Sequence, residues 1–97
     1  MIQITADSNS LTIDGHAGYA PKGQDIVCEA VTVLVQTFLA SVEELTETVP
    51  EHDIRAGHFY VHTADLEGDS RLLLDALMIG LEMVANAYSE FVTLSKH

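Results

Sequence analysis

The sequence predicts one α+β domain over residues 1–97: two long helices on a four-stranded antiparallel or mixed sheet, in the order ββαββα. Three observations predict it. Apolar and polar residues alternate along short N-terminal stretches, apolar residues recur at steps of three and four along two stretches of about twenty residues, and a further alternating stretch lies between these two. A chain of 97 residues makes one domain and buries only about two-thirds of its unfolded surface.

Ile2 and Ile4 alternate with Gln3 and Thr5 over residues 1–6, as in a half-buried strand. Asp7, Ser8, Asn9 and Ser10 form a turn, after which Leu11 and Ile13 alternate with Thr12 and Asp14, predicting a hairpin. His16 lies at the end of its second strand. Gly18 to Gln24 contains two glycines and Pro21 and is expected to form an irregular, mobile loop.

Asp25 reads as the N-cap of a helix from Ile26 to about Thr46. Its β-branched residues could also pass for a buried strand, but twenty residues without a turn signal exceed strand length. Val27, Val31, Leu34, Phe38, Val42 and Leu45 form its apolar stripe, which Ile26, Ala30, Val33 and Leu39 widen. The helix is therefore expected to be largely buried. Val49-Pro50 ends the region. A strand with a thin pattern over His52 to Ala56, a turn at Gly57 and a strand over His58 to Thr63 follow. Leu66 to Ser70 supplies a loop and cap for a last helix from about Arg71 to Leu94. Its stripe is Leu73, Leu77, Leu81, Val84, Tyr88 and Phe91. Gly80 within it costs about 1 kcal/mol relative to alanine, which points to another backbone packed closely there.

The net charge of −11, from four Lys and Arg against fifteen Asp and Glu, argues against nucleic acid bound through its phosphates and suits a basic partner or simple solubility. The 47% hydrophobic content exceeds what one small core readily hides and favours a homodimer. A single cysteine excludes an intramolecular disulfide framework and a cysteine-rich zinc site and fits a reducing compartment. The start of the chain lacks the features of a signal peptide, and Leu72 to Ala87 falls short of the ~20 residues of a membrane span, so a soluble, cytoplasmic protein is expected.

That cysteine, Cys28, carries the chemical reading. At the start of a helix it would sit where unpaired backbone N–H groups favour a thiolate, and an imidazole nearby could take its proton. His16, twelve residues earlier, is the candidate, although an edge-strand histidine facing water is an equally good reading of that residue. Glu29 opposes the thiolate. A carboxylate ~7 Å away in water costs the sulfur anion about 0.6 kcal/mol, comparable with the gain from an exposed helix terminus. Activation then rests on His16. His58 and His62 on one strand would stand ~13 Å apart, too far to share a metal ion. Neither a phosphate-binding glycine loop nor a Gly-x-Ser-x-Gly motif is present. No metal or cofactor is expected.

The block Gly15-His16-Ala17, followed by Gly23-Gln24-Asp25-Ile26-Val27-Cys28, resembles the bacterial ribosomal-processing cysteine protease family, Prp. The element order, the chain length and Gly57-His58-Phe59 are also similar. The resemblance implies that His16 and Cys28 form the catalytic dyad, with Gly15, Gly23, Asp25 and Thr32 in supporting or substrate-binding roles. It further implies a homodimer that removes the N-terminal extension of a basic large-subunit ribosomal protein (number twenty-seven), cutting after a pair of aromatic residues. Glu29 and Thr32 stand where the family often has a small residue and a serine. The rival reading is a non-catalytic acidic dimeric adaptor for a basic ribosomal or assembly protein. A weaker third is a thiol-dependent acyltransferase.

Overall fold

The alternation of the N-terminal residues becomes a hairpin of β1 (Ile2–Ala6) and β2 (Ser10–Asp14). Helix α1 (Gly23–Leu45), β3 (His52–Arg55), β4 (His58–His62), α2 (Asp69–Ala87) and β5 (Val92–Lys96) follow. The computed structural model describes residues 1–15 and 23–97, the side chains of residues 23–25 excepted. The loop expected over Gly18 to Gln24 therefore lies almost wholly outside the described residues.

The sheet is mixed and has five strands, not four, in the order β3-β4-β2-β1-β5. Every neighbouring pair is antiparallel except β1 with β5. Ile2, Ile4, Leu11, Ile13, Phe59, Val61 and Val92 point to one face of this sheet. They pack there with Val27, Val31, Val35, Phe38 and Val42 of α1 and Leu74, Leu77 and Leu81 of α2. The opposite face carries Gln3, Thr12, Asp14, His58, Tyr60 and His62, and among the described residues no helix lies over it. A sheet clean on one side and polar on the other is what alternating sequences specify.

Three local differences from the sequence reading have physical causes. The last helix ends at Ala87 rather than Leu94, because Val92 to Lys96 alternates and gives β1 a parallel partner. Tyr88, the C-cap, donates its N–H to Val84 O (2.9 Å), and the chain turns out to β5. Second, α1 is not largely buried. Its core stripe passes through Val35, while Ile26, Val33 and Leu45 are exposed, Leu45 at 70%. In α2 the core residue of the first turns is likewise Leu74 rather than Leu73. Third, a Cβ on Gly80 would meet the methyl groups of Leu34 in α1, so it is a neighbouring side chain and not a backbone that crowds it.

The most apolar helical stretch is Ile26–Leu45 rather than Leu72 to Ala87, and by length and composition it could cross a membrane. Here it supplies five residues of the core instead.

The turn between β1 and β2 is closed by Asp7, whose Oδ1 accepts the backbone N–H groups of Asn9 and Ser10, both at 2.8 Å. These two bonds hold the Asp7 carboxyl below its usual range. At the head of α2, Ser70 is buried and donates to Glu67 O at 2.9 Å, while Gly68 takes φ 58°.

Candidate active site

Cys28 is half-buried on α1 and faces the sheet. It lines an open cavity of about 210 Å³ between that helix and the ends of β2, β3 and β4. Cys28, Thr32 and Gln36, at i, i+4 and i+8, run in one line along α1 as one wall of this cavity. Val31 and Val35 flank them. Ile13, Phe59 and Ile54 form the sheet side. Because α1 does not reach over edge strand β3, Ile54 is 46% exposed there, although it pairs with buried Phe59.

The rim is built from two glycines and a charged network. Gly15 donates its N–H to Gly57 O at 2.9 Å, carrying the pairing of β2 with β4 one residue past Asp14. Gly15 has φ 107°, and a side chain there would collide with the carbonyl oxygen of Met1, so this close passage requires glycine. Beside it, His58 Nδ1 lies 2.6 Å from Asp14 Oδ1, and His58 Nε2 lies 4.0 Å from Asp53 Oδ2. Arg55 Nη2 is 3.0 Å from the same Asp53 oxygen.

The expected site residues are distributed unevenly. Cys28, Thr32 and Gly15 meet at the cavity. His16 and the side chain of Asp25 lie outside the described residues. Gly23 is the first residue of α1, which makes Asp25 a residue of the first turn rather than the cap before the helix. Cys28 is then the sixth helical residue. Its own N–H falls past the four that a helix leaves unpaired, so the terminus gives the sulfur less help than a cap at Asp25 would imply. The Thr32 hydroxyl donates to Cys28 O at 2.8 Å, an i to i−4 bond that turns it along the helix.

Sequence reading missed Ile54 and Arg55 as residues of the cavity that Cys28 lines, and Asp14 and Asp53 as the carboxylates beside His58. The register Asp14↔His58↔Arg55 brings them there, and it requires knowing that β4 pairs with both β2 and β3. His62 pairs instead with Asp65, at 3.5 Å. Among the described residues, no three His, Cys, Asp or Glu side chains are grouped to hold a metal ion.

Residues 1–93 match the family described as Cysteine protease Prp. The chain belongs to that family. It is thus a cysteine peptidase. Relatives named ribosomal processing cysteine protease Prp include that of Bacillus subtilis (strain 168), 32% identical, with 84% of this chain and 79% of the relative covered. That of Mycoplasma pneumoniae is 29% identical, with 96% and 92% covered. Among solved structures, Staphylococcus aureus Prp with a covalently linked product peptide superposes with a TM-score of 0.89 at 24% identity, each chain covered in full. The same protein with a substrate peptide gives 0.84 at 23% identity, with 99% of this chain and 97% of that one covered. Both share the fold found here.

Proposed function

We propose that the protein is a ribosomal-processing endopeptidase in which Cys28 is the nucleophile and His16 its base. Its substrate is the N-terminal extension of a large-subunit ribosomal protein (number twenty-seven). The observation that carries this reading is the placement of Cys28, the only cysteine, at the wall of the cavity beside Gly15, one residue before His16.

The Cys28 thiol passes its proton to His16, and the sulfur attacks the scissile carbonyl. The tetrahedral adduct collapses to a thioester as His16 gives that proton to the leaving amine. Water then releases the extension and restores the thiol. Backbone N–H groups of the first turn of α1 are the candidate oxyanion donors. The apolar cavity wall suits a large uncharged side chain next to the cut, and the net charge of −11 suits a basic tail.

In this reading the enzyme works in the cytoplasm as a homodimer. The apolar stripe Leu72, Ile79 and Met83 on the outer face of α2 supports that assembly.

The test combines the purified protein with the ribosomal protein carrying its native extension, beside Cys28→Ala and His16→Ala, and follows truncation by mass spectrometry. Wild type cuts; the alanine variants lose at least about a thousandfold in rate. Equal cutting by all three removes the dyad, and binding without cutting by wild type favours an adaptor.

A further inference from the structure

We propose that edge strand β3 is where the substrate docks: an extended segment of the peptide adds to the sheet beside it, held by the backbone N–H and C=O of Ile54. The proposal deepens the protease reading and rests on it, since the segment that docks belongs to the peptide to be cut.

The hydrogen bonds of the sheet determine which backbone groups β3 presents outward. In an antiparallel pair, residues whose N–H and C=O both point to the partner strand alternate with residues whose N–H and C=O both point away. His62 donates its N–H to Glu51 O at 2.8 Å, which makes Glu51↔His62 a bonded pair one step beyond His52↔Val61 in the register. By alternation, Asp53↔Tyr60 and Arg55↔His58 are bonded pairs as well. The other side of β4 agrees. Gly15 donates to Gly57 O, so Gly57, Phe59 and Val61 turn their backbone groups to β2, and His58, Tyr60 and His62 turn theirs to β3. The N–H and C=O of His52 and Ile54 therefore point away from the sheet, and among the described residues no strand lies beyond them.

Of these two residues, only Ile54 also lines the Cys28 cavity. Its side chain lies on the same face as its partner Phe59, yet it is 46% exposed where Phe59 is 5% exposed. Edge strands guard against added strands with charges that point inward. The charges of β3 point the other way, Asp53 and Arg55 forming an ion pair on the face of Tyr60 and His58. The second open edge, β5, contributes no residue to this cavity. An extended peptide fits the edge at β3, because its own N–H and C=O groups repeat at strand spacing and a side chain opposite Ile54 falls on the cavity side. Running antiparallel, one peptide residue exchanges both bonds with Ile54; running parallel, the two residues flanking it do. Either direction gives two main-chain bonds.

Binding can be read without turnover, so the test does not depend on the dyad. In the Cys28→Ala background, anisotropy gives the dissociation constant of a fluorescein-labelled peptide of the ribosomal protein's N-terminal extension, spanning the cut. A series of peptides then replaces one backbone amide at a time by an ester, which removes a single N–H with little change of shape. Losses of about fivefold are expected at every second position of the docked segment, because only alternate residues of a strand face β3. On the protein side, Ile54→Pro removes the outward N–H and spares the ladder to β4, a place where an edge strand accepts proline. It should weaken binding about fivefold or more, while Ile54→Val stays within about twofold of the parent. Thermal unfolding separates loss of fold from loss of docking, and the ester series, read on the unaltered strand, carries the test if the proline variant does not fold. Ester losses without a two-residue period, or an Ile54→Pro protein that binds as Ile54→Val does, overturn strand addition at β3 while leaving the protease reading intact. Absence of binding by the parent overturns both.

Discussion

Gly15 shows how one residue sets the geometry of the site. Its φ of 107° and its closeness to the Met1 carbonyl leave no place for a side chain. Gly15→Ala is expected to cost about 2 kcal/mol or more, since a strained φ and a backbone collision combine. For a domain of this size that lowers the melting temperature by about 10 °C, which scanning calorimetry would read. Asp7 gives a second prediction. Its folded-state pKa is lowered by the backbone bonds from Asn9 and Ser10, so it adds stability above the ordinary carboxylate range. That contribution fades as pH falls through the lowered folded value. Asp7→Ala should therefore reduce the urea midpoint at neutral pH, and the gap from wild type should narrow in acid. Cys28 gives a third prediction: if His16 is its base, kcat/KM falls from neutral pH toward about pH 5 in an assay limited by chemistry. A flat profile from about pH 5 to about pH 9 speaks against the pair.

At the scale of elements, the two helices meet where Gly80 of α2 faces Leu34 of α1. Gly80→Ala gains up to about 1 kcal/mol of helix propensity but presses its methyl group on Leu34, so the net change in stability should be small. In a Leu34→Ala background the same substitution should stabilise by about 1 kcal/mol, and chemical denaturation of the four proteins in the cycle would show the coupling. Most elements were legible because their periodicities are clean: Ile2/Ile4, Leu11/Ile13 and Phe59/Val61 alternate, and Val27, Val31, Phe38 and Val42 follow a helix. The end of α2 was not. Val84, Tyr88 and Phe91 continue the helical spacing, while Val92 to Lys96 also alternates, and local sequence contains both patterns. Pairing of Ile2 to Ala6 with Val92 to Lys96 decides in favour of the strand, because β1 would otherwise be left as an open sheet edge. The same limit applies to helix faces. Leu34, Val35, Leu73 and Leu74 are all apolar, and only the crossing of α1 with α2 determines which of each pair is buried.

The whole molecule adds its charge to the site. With a net charge of −11, if the substrate is a basic ribosomal tail, attraction for it should raise kcat/KM at low ionic strength and weaken through about 0.2 M salt as the Debye length shortens. If the outer face of α2 is the dimer interface, Ile79→Glu should convert the dimer to monomer in sedimentation velocity without unfolding it, since Ile79 is exposed in the single chain.

By itself, the sequence determined the fold class, the polar and apolar faces of the hairpin, and the family, through the Gly-His block and the glycine, aspartate and cysteine spacing at the start of α1. Those properties are local or reside in short motifs, and residue type with spacing specifies them. Tertiary structure decided that a fifth strand lies beside the first and that α1 begins at Gly23. It also decided that Cys28 looks across a cavity at β3, and that Asp14, Asp53 and Arg55 gather around His58. The fifth strand, the cavity and the His58 cluster depend on strand order and register, which bring together residues distant in sequence that no local pattern connects.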